Sequence, residues 1–186
     1  MIAVALDESA DDVRPWVDGI TLPVLIDREH VLTELYAISN VPTVIWIDED
    51  DRIVRPNSVA FSTDMFAEFT NARSGPHLDA VRAWVRDCTR SITDDEARTA
   101  VPDLTDDEVR ARLHFRIATE ARRRGDGDVA RRHFVRAGEL APTDFTIRRA
   151  AMPLMGEDPF GEDFMGLYQE WQDAGSPFHG LEPMTD

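Results

Sequence analysis

One thiol and five imidazoles are the side chains in this sequence best suited to nucleophilic or metal chemistry. Cys88 is the sole cysteine, so an internal disulfide is excluded. It falls on an apolar stripe with Leu78, Val81, Trp84 and Val85, at i, i+3, i+6, i+7 and i+10, and Asp87 adjoins it. Apolar burial and a neighbouring acid both disfavour the thiolate that attacks electrophiles. Cys88 therefore reads as a structural residue with no resolving partner. The histidines, His30, His77, His114, His133 and His179, are scattered. None forms the i, i+4 pair of a helical metal site, and no cysteine cluster accompanies them. His114 and His133 face each other across a predicted helical hairpin, where packing or capping is the plainer role. Asp48-Glu49-Asp50-Asp51 carries enough charge to attract a cation. It lacks the ligand spacing and glycine of a calcium loop, so it reads as a turn. Arg122-Arg123-Arg124 offers charge to an anion, and in so acidic a chain an internal partner is preferred. No glycine-rich phosphate loop and no nucleophile elbow is present. The sequence thus nominates no catalytic residue, no metal site and no cofactor.

The elements that position these residues alternate. Ile2–Leu6 reads as a buried strand. Asp7-Glu8-Ser9 then caps a helix with Val13, Trp16 and Val17 on its apolar side, and Pro15 sits early in it, where proline is tolerated. Leu22–Asp27 is a second short strand. Glu29–Ile38 is a helix with Val31, Leu32, Leu35 and Ile38 on one stripe. Asn40-Val41-Pro42-Thr43 leads into Val44-Ile45-Trp46-Ile47, a run whose continuous apolarity suits a strand covered on both faces. Pro42 belongs at the start of that strand because it cannot donate to a ladder. After the acidic turn, Arg52-Ile53-Val54-Arg55 returns as the partner strand. Asp64–Asn71 reads as a short helix with Met65, Phe66 and Phe69 inward. Ser74-Gly75-Pro76 breaks it, and His77–Arg90 is an amphipathic helix.

Val41-Pro42-Thr43, followed by Ile47-Asp48 and Arg52-Ile53-Val54, resembles the second half of a thioredoxin-like redoxin of the TlpA/ResA and AhpC/TSA kind. The resemblance covers roughly the first half of the chain. It implies a cis proline at Pro42 and a substrate-binding role for Val41, Pro42 and Thr43, with Val41 pairing to an extended peptide. It also implies a Cys-x-x-Cys upstream, after the first core strand, and nothing in this sequence matches that motif. The expectation is a thioredoxin-like domain without its central strand and redox helix, and so without activity in this form. Translation that begins upstream, or a selenocysteine codon read as a stop, accounts for the loss. A protein thiol or disulfide is the partner the resemblance implies.

The second half changes character. Thr105-Asp106-Asp107-Glu108 is a capping-box pattern opening a helix that stops at Gly125-Asp126-Gly127. A second helix runs over 128–140. Ala118, Ala130, Phe134, Ala137 and Pro142 match the small, aromatic and proline positions of a tetratricopeptide repeat, while His114 and Ala121 depart from its tryptophan and tyrosine. No second repeat is found, and one repeat cannot bury its own face. Residues 101–150 hold 11 Arg and 9 acids, and residues 151–186 hold 8 acids and no Lys or Arg. The tail is therefore expected to fold onto Arg122, Arg123, Arg131 and Arg132, with Phe164, Leu167, Tyr168 and Trp171 as its apolar side.

The organisation expected is an α/β partial thioredoxin-like domain over 1–91, a linker over 92–104, and an all-α, repeat-like region over 105–186. All twenty basic residues are arginine, and the net charge of -16 argues against nucleic acid and anionic membranes. No apolar run approaches the ~20 residues that span a bilayer. A single cysteine and no visible signal peptide fit the cytoplasm. A lost central strand leaves strand edges unpaired. The alternative is a redox-inert module that binds a protein partner through its helical hairpin, as a homodimer that closes the sheet.

Overall fold

A computed structural model describes residues 1–60, 62–65, 67 and 72–184. The first half begins with two short parallel strands, β1 (Ala3–Ala5) and β2 (Val24–Ile26), in register Ala3↔Val24 to Ala5↔Ile26. Between them Ser9 caps α1 (Ala10–Val13) by accepting the Asp12 N–H, and a 3-10 turn follows over Arg14–Trp16. Val13 is buried, whereas Trp16 is 84% exposed. After β2, the Asp27 carboxylate accepts the N–H groups of Val31 and Leu32 at 2.9 and 2.7 Å. This starts α2 (Val31–Leu35) two residues later than the spacing predicts. Its inward residue is Thr33, and Val31 and Leu35 face solvent. The helix stops short because Ala37 adopts a positive φ of 49°, which rotates Ile38 into the interior.

β3 (Thr43–Ile47) and β4 (Ile53–Val59) form the predicted antiparallel hairpin. The acidic run is its turn: Asp48 Oδ1 accepts the N–H groups of Asp50 and Arg52. The hairpin and the β1–β2 pair are separate two-stranded sheets. The predicted helix over 64–71 falls partly outside the described residues, Phe66 and Phe69 among them. Met65 is 78% exposed instead of inward. Asp64 accepts both the N–H and the hydroxyl of Ser74 at 2.8 Å. Ser74, Gly75 and Pro76 consequently open α3 (Ser74–Asp87) instead of breaking the chain, since first-turn N–H groups have no intrahelical acceptor. Trp84 of α3 stacks on Trp46 of β3, with ring centroids 5.1 Å apart. The helix ends at Cys88 in the left-handed region, φ 51°.

The expected linker contains a helix, α4 (Asp94–Thr99), opened by a full capping box between Thr93 and Glu96. The second half is helical throughout: α5 (Asp106–Arg123), α6 (Gly127–Leu140), α7 (Arg148–Met155) and α8 (Glu162–Asp173). Phe115 and Ala118 of α5 meet Ala130, Phe134 and Ala137 of α6, and Ile147 and Ala151 close the cluster from α7. Small residues let the helix axes approach, and the two phenylalanines, edge-on at 5.4 Å, fill the space between them. A second helical hairpin, α7–α8, thus supplies the cover that one hairpin lacks. Its own cluster joins Phe145, Met152 and Leu167 to Phe164, Tyr168 and Trp171, the apolar side expected of the tail.

The tail's charges go elsewhere than expected. Arg122 and Arg123 pair with Glu8 and Glu29 of the first half, Arg131 donates to the Met155 carbonyl, and α8 is held by Arg148–Glu170. Beyond α8 the chain returns to the first half. The Leu181 N–H donates to the Asn57 carbonyl at 2.7 Å, which makes a parallel bridge between Leu181 and Ser58 on the edge of β4. Gly180 permits this approach, because a Cβ there would collide with the Asn57 carbonyl oxygen. Gly180→Ala should therefore lower stability in urea by about 1–3 kcal/mol. Gly166→Ala, in open space on α8, should instead raise it by about 0.5–1 kcal/mol. Equal effects at the two sites would mean that the strand contact does not hold the tail.

Candidate functional site: the Val41–Pro42–Thr43 loop

The loop is positioned by what precedes it. Four consecutive residues after α2 are each tied down by groups distant in sequence. The Asn57 side-chain amide donates to the Tyr36 and Ala37 carbonyls at 2.7 and 3.2 Å. The Ile38 carbonyl accepts from Arg112 Nη2 and from the Thr146 hydroxyl, both at 3.2 Å. The Ser39 carbonyl accepts the Phe145 N–H, and its hydroxyl accepts the His179 N–H. The helical half and the tail therefore fix the backbone that leads into the loop.

Within the loop, Asn40 Oδ1 accepts the Val41 N–H at 2.8 Å, and the Thr43 hydroxyl donates to the Asn40 carbonyl at 2.6 Å. The Val41–Pro42 bond is cis, as the resemblance implies. Val41 and Pro42 are exposed and Thr43 is half-buried. Thr43 pairs with Val59 as the first rung of the β3–β4 ladder. The three residues thus present a short surface at the mouth of the hairpin, and the N–H of Val41 is already engaged by Asn40.

Behind the loop lies a buried polar network that the sequence did not reveal. Arg112 and Asp144 form an ion pair at 2.8 Å with side chains 0% and 5% exposed. Arg112 Nη1 also donates to the Glu108 carbonyl. Asp144 Oδ1 accepts the Thr146 N–H and hydroxyl at 2.8 and 2.6 Å. Burial pushes the Asp144 carboxyl above its usual range, while the Arg112 charge and both Thr146 hydrogen bonds oppose that push. Glu108 extends the network to the tail by pairing with His179 Nε2 at 3.1 Å. Two signals were available. Arg112 lies on the same face of α5 as Ala111, Phe115 and Ala118, and Asp144-x-Thr146 is a local turn pattern.

The histidines divide. His30 is 2% exposed, adopts a positive φ of 52°, and packs against the Phe115 ring at 4.4 Å. Burial lowers its pKa below 6.5, with Asp27 acting the other way. His114 and His133 meet across α5 and α6 with their Nδ1 atoms 2.7 Å apart. Burial, then the charges of His133 and Arg136, lower the His114 pKa. Among the described residues, no group of three or more His, Cys, Asp or Glu is placed to hold a metal. Cys88 departs from its expected place. The helix ends one residue before it, so the thiol is exposed; Val85 of the same stripe is 71% exposed as well, and Leu78, Val81 and Trp84 are only half-buried. The Arg122–Arg124 run finds internal partners in Glu8, Glu29 and Glu120.

Among the described residues, no helix is long and apolar enough to cross a membrane. No family model, curated protein or solved structure matches the chain.

Two measurements test the support beneath the loop. Arg112→Met strands a buried carboxylate, and should cost about 3–5 kcal/mol by urea denaturation. Adding Asp144→Asn should cost less than the sum of the single changes, and strict additivity would show that the two do not act as a pair. The second concerns pH. Unfolded His30 binds a proton near pH 6.5 that the folded chain resists, so the unfolded state gains protons first as pH falls. This contribution is complete above the unfolded pKa and drains away below it. His30→Gln should flatten the stability profile below about pH 6.5, by up to ~1.4 kcal/mol per pH unit. Parallel profiles for the two proteins would assign the slope elsewhere.

Proposed function

We propose that this chain carries the peptide-binding half of a redoxin-lineage site, joined to a helical module that holds it in shape. Val41, Pro42 and Thr43 receive an extended segment of a protein thiol or disulfide partner, with the Val41 N–H left to Asn40 and the exposed surface of Val41 and Pro42 offered to it. Thiol–disulfide exchange requires a thiolate that attacks a sulfur, and the sole cysteine, Cys88, lies at the exposed end of α3 without a resolving partner. In this form the chain binds and does not catalyse. The observation that supports the reading is the break in the sheet. The parallel β1–β2 pair and the antiparallel β3–β4 pair stay separate, where the resemblance implies a central strand between them. One face of the β1–β2 pair is also open, with Val4 37% and Leu25 53% exposed.

A second reading rests on the helical half. Leu113, Ile117 and Val135 are each about half exposed on α5 and α6, which suits a redox-inert module that docks a protein partner or a second copy of itself.

The intact mass of the protein isolated from its own cells separates the two. A mass several kilodaltons above 21.0 kDa, with a Cys-x-x-Cys or its selenium counterpart in the added segment, supports the redoxin reading. A mass equal to 21.0 kDa sinks it and leaves the helical module.

A further inference from the structure

Arg55 is the buried cation that lacks an anion. The residue lies on β4 and is 4% exposed. Among the described residues its one hydrogen bond runs from Nη1 to the Ser91 hydroxyl at 3.0 Å, and Nε is sealed without a partner there. Among the described residues no carboxylate pairs with it, although the chain carries 36 acidic residues. Among the described residues the other buried guanidinium, Arg112 at 1% exposed, has Asp144. The guanidinium lies over the Trp46 ring at 5.7 Å, close to the ~6 Å limit of a useful cation–π contact. Trp46 is itself 4% exposed, and its indole N–H is a second sealed donor without an acceptor. His77 stands against the same ring at 5.9 Å. Two sealed donors, the Arg55 Nε and the Trp46 indole N–H, thus lie in one cluster around the Trp46 ring, with His77 at its edge and the Ser91 hydroxyl on Arg55, and no carboxylate among the described residues pairs with Arg55.

A buried charge without a partner is costly. A planar guanidinium is the side chain best matched to a two-oxygen or three-oxygen anion. We propose that Arg55, with the Ser91 hydroxyl and the His77 imidazole, binds a small oxyanion, a phosphate or a carboxylate. The anion supplies the missing charge and locks α3 and the segment around Ser91 onto the hairpin. Burial lowers the pKa of Arg55, and burial together with the Arg55 charge lowers that of His77, which is the state an anion would relieve. The proposal is independent of the redoxin reading, because it uses none of the loop residues.

The test is thermal unfolding of the full chain in inorganic phosphate, in acetate and in chloride at equal ionic strength, followed by tryptophan emission. A bound oxyanion should raise the melting temperature saturably, by about 5–10 °C at roughly a hundredfold excess over Kd. Saturation by phosphate alone identifies a phosphate site, and saturation by acetate alone a carboxylate site. Arg55→Met should remove the response and, in chloride, melt at or above the unaltered protein, since an unpaired buried charge is gone. Should that variant not fold, Arg55→Lys, which keeps the charge and loses the planar fork, should weaken anion affinity at least about tenfold. An equal oxyanion response in the variants, or no response beyond chloride in the unaltered protein, overturns the proposal.

Discussion

A guanidinium at the junction of the two halves needs an acid and several carbonyls around it, and much of this fold is arranged to supply them. Arg112 takes the Asp144 carboxylate on one side and the carbonyls of Glu108 and Ile38 on the other. Those acceptors come from α5, from the segment before α7, and from the loop after α2. Bringing them together docks the helical half onto the segment that leads to Val41. A buried ion pair of this kind does not add much net stability, because desolvation offsets the attraction. It does penalise any arrangement in which the partners are apart, so it specifies how the halves meet. The apolar clusters supply the driving force, and the pair selects among the ways of burying them.

The first half is weaker on its own terms. Two two-stranded sheets bury little, and a small sheet is marginal without packing on a further layer. Here the layer is partly borrowed. Arg116 holds Glu34 and the Glu29 carbonyl, Arg123 holds the Glu29 carboxylate, and Arg122 holds Glu8. The arginine-rich face of α5 therefore serves as scaffold for β1, β2 and α2. What it leaves uncovered is the outer apolar surface of the β1–β2 pair.

The parts of the fold that obey a short period were readable. The hairpin, its acidic turn, the Thr105–Glu108 capping box and the α5–α6 packing all follow from local spacing, and all are found. The apolar side of α8 was also legible, because Phe164, Leu167, Tyr168 and Trp171 repeat at helical intervals. Errors came where a single backbone torsion or a distant partner decides. Ala37 and Cys88 adopt positive φ, which ends α2 and α3 early and changes which residues face inward. Asp64 turns Ser74 from a breaker into a helix start. The Arg112–Asp144 pair joins residues 32 apart, and nothing in spacing announces it, since arginine on an apolar face reads as a solvated edge. The cis bend at Val41–Pro42 is legible in its residues, whereas its support at Tyr36 to Ser39 is not, because those contacts use backbone carbonyls.

The strand contact of the tail also bears on how the protein is made. Asn57 bonds to the His179 carbonyl, 122 residues later in the sequence. Domains generally fold as units while the chain is being synthesised, N-terminal parts first. Here the edge of β4 waits for Leu181, and so until the helical half has left the ribosome. An early-made half with open strand edges is the kind of intermediate that associates with its neighbours on crowded polysomes, so the speed of elongation through the helical half becomes part of what keeps this protein from aggregating at birth.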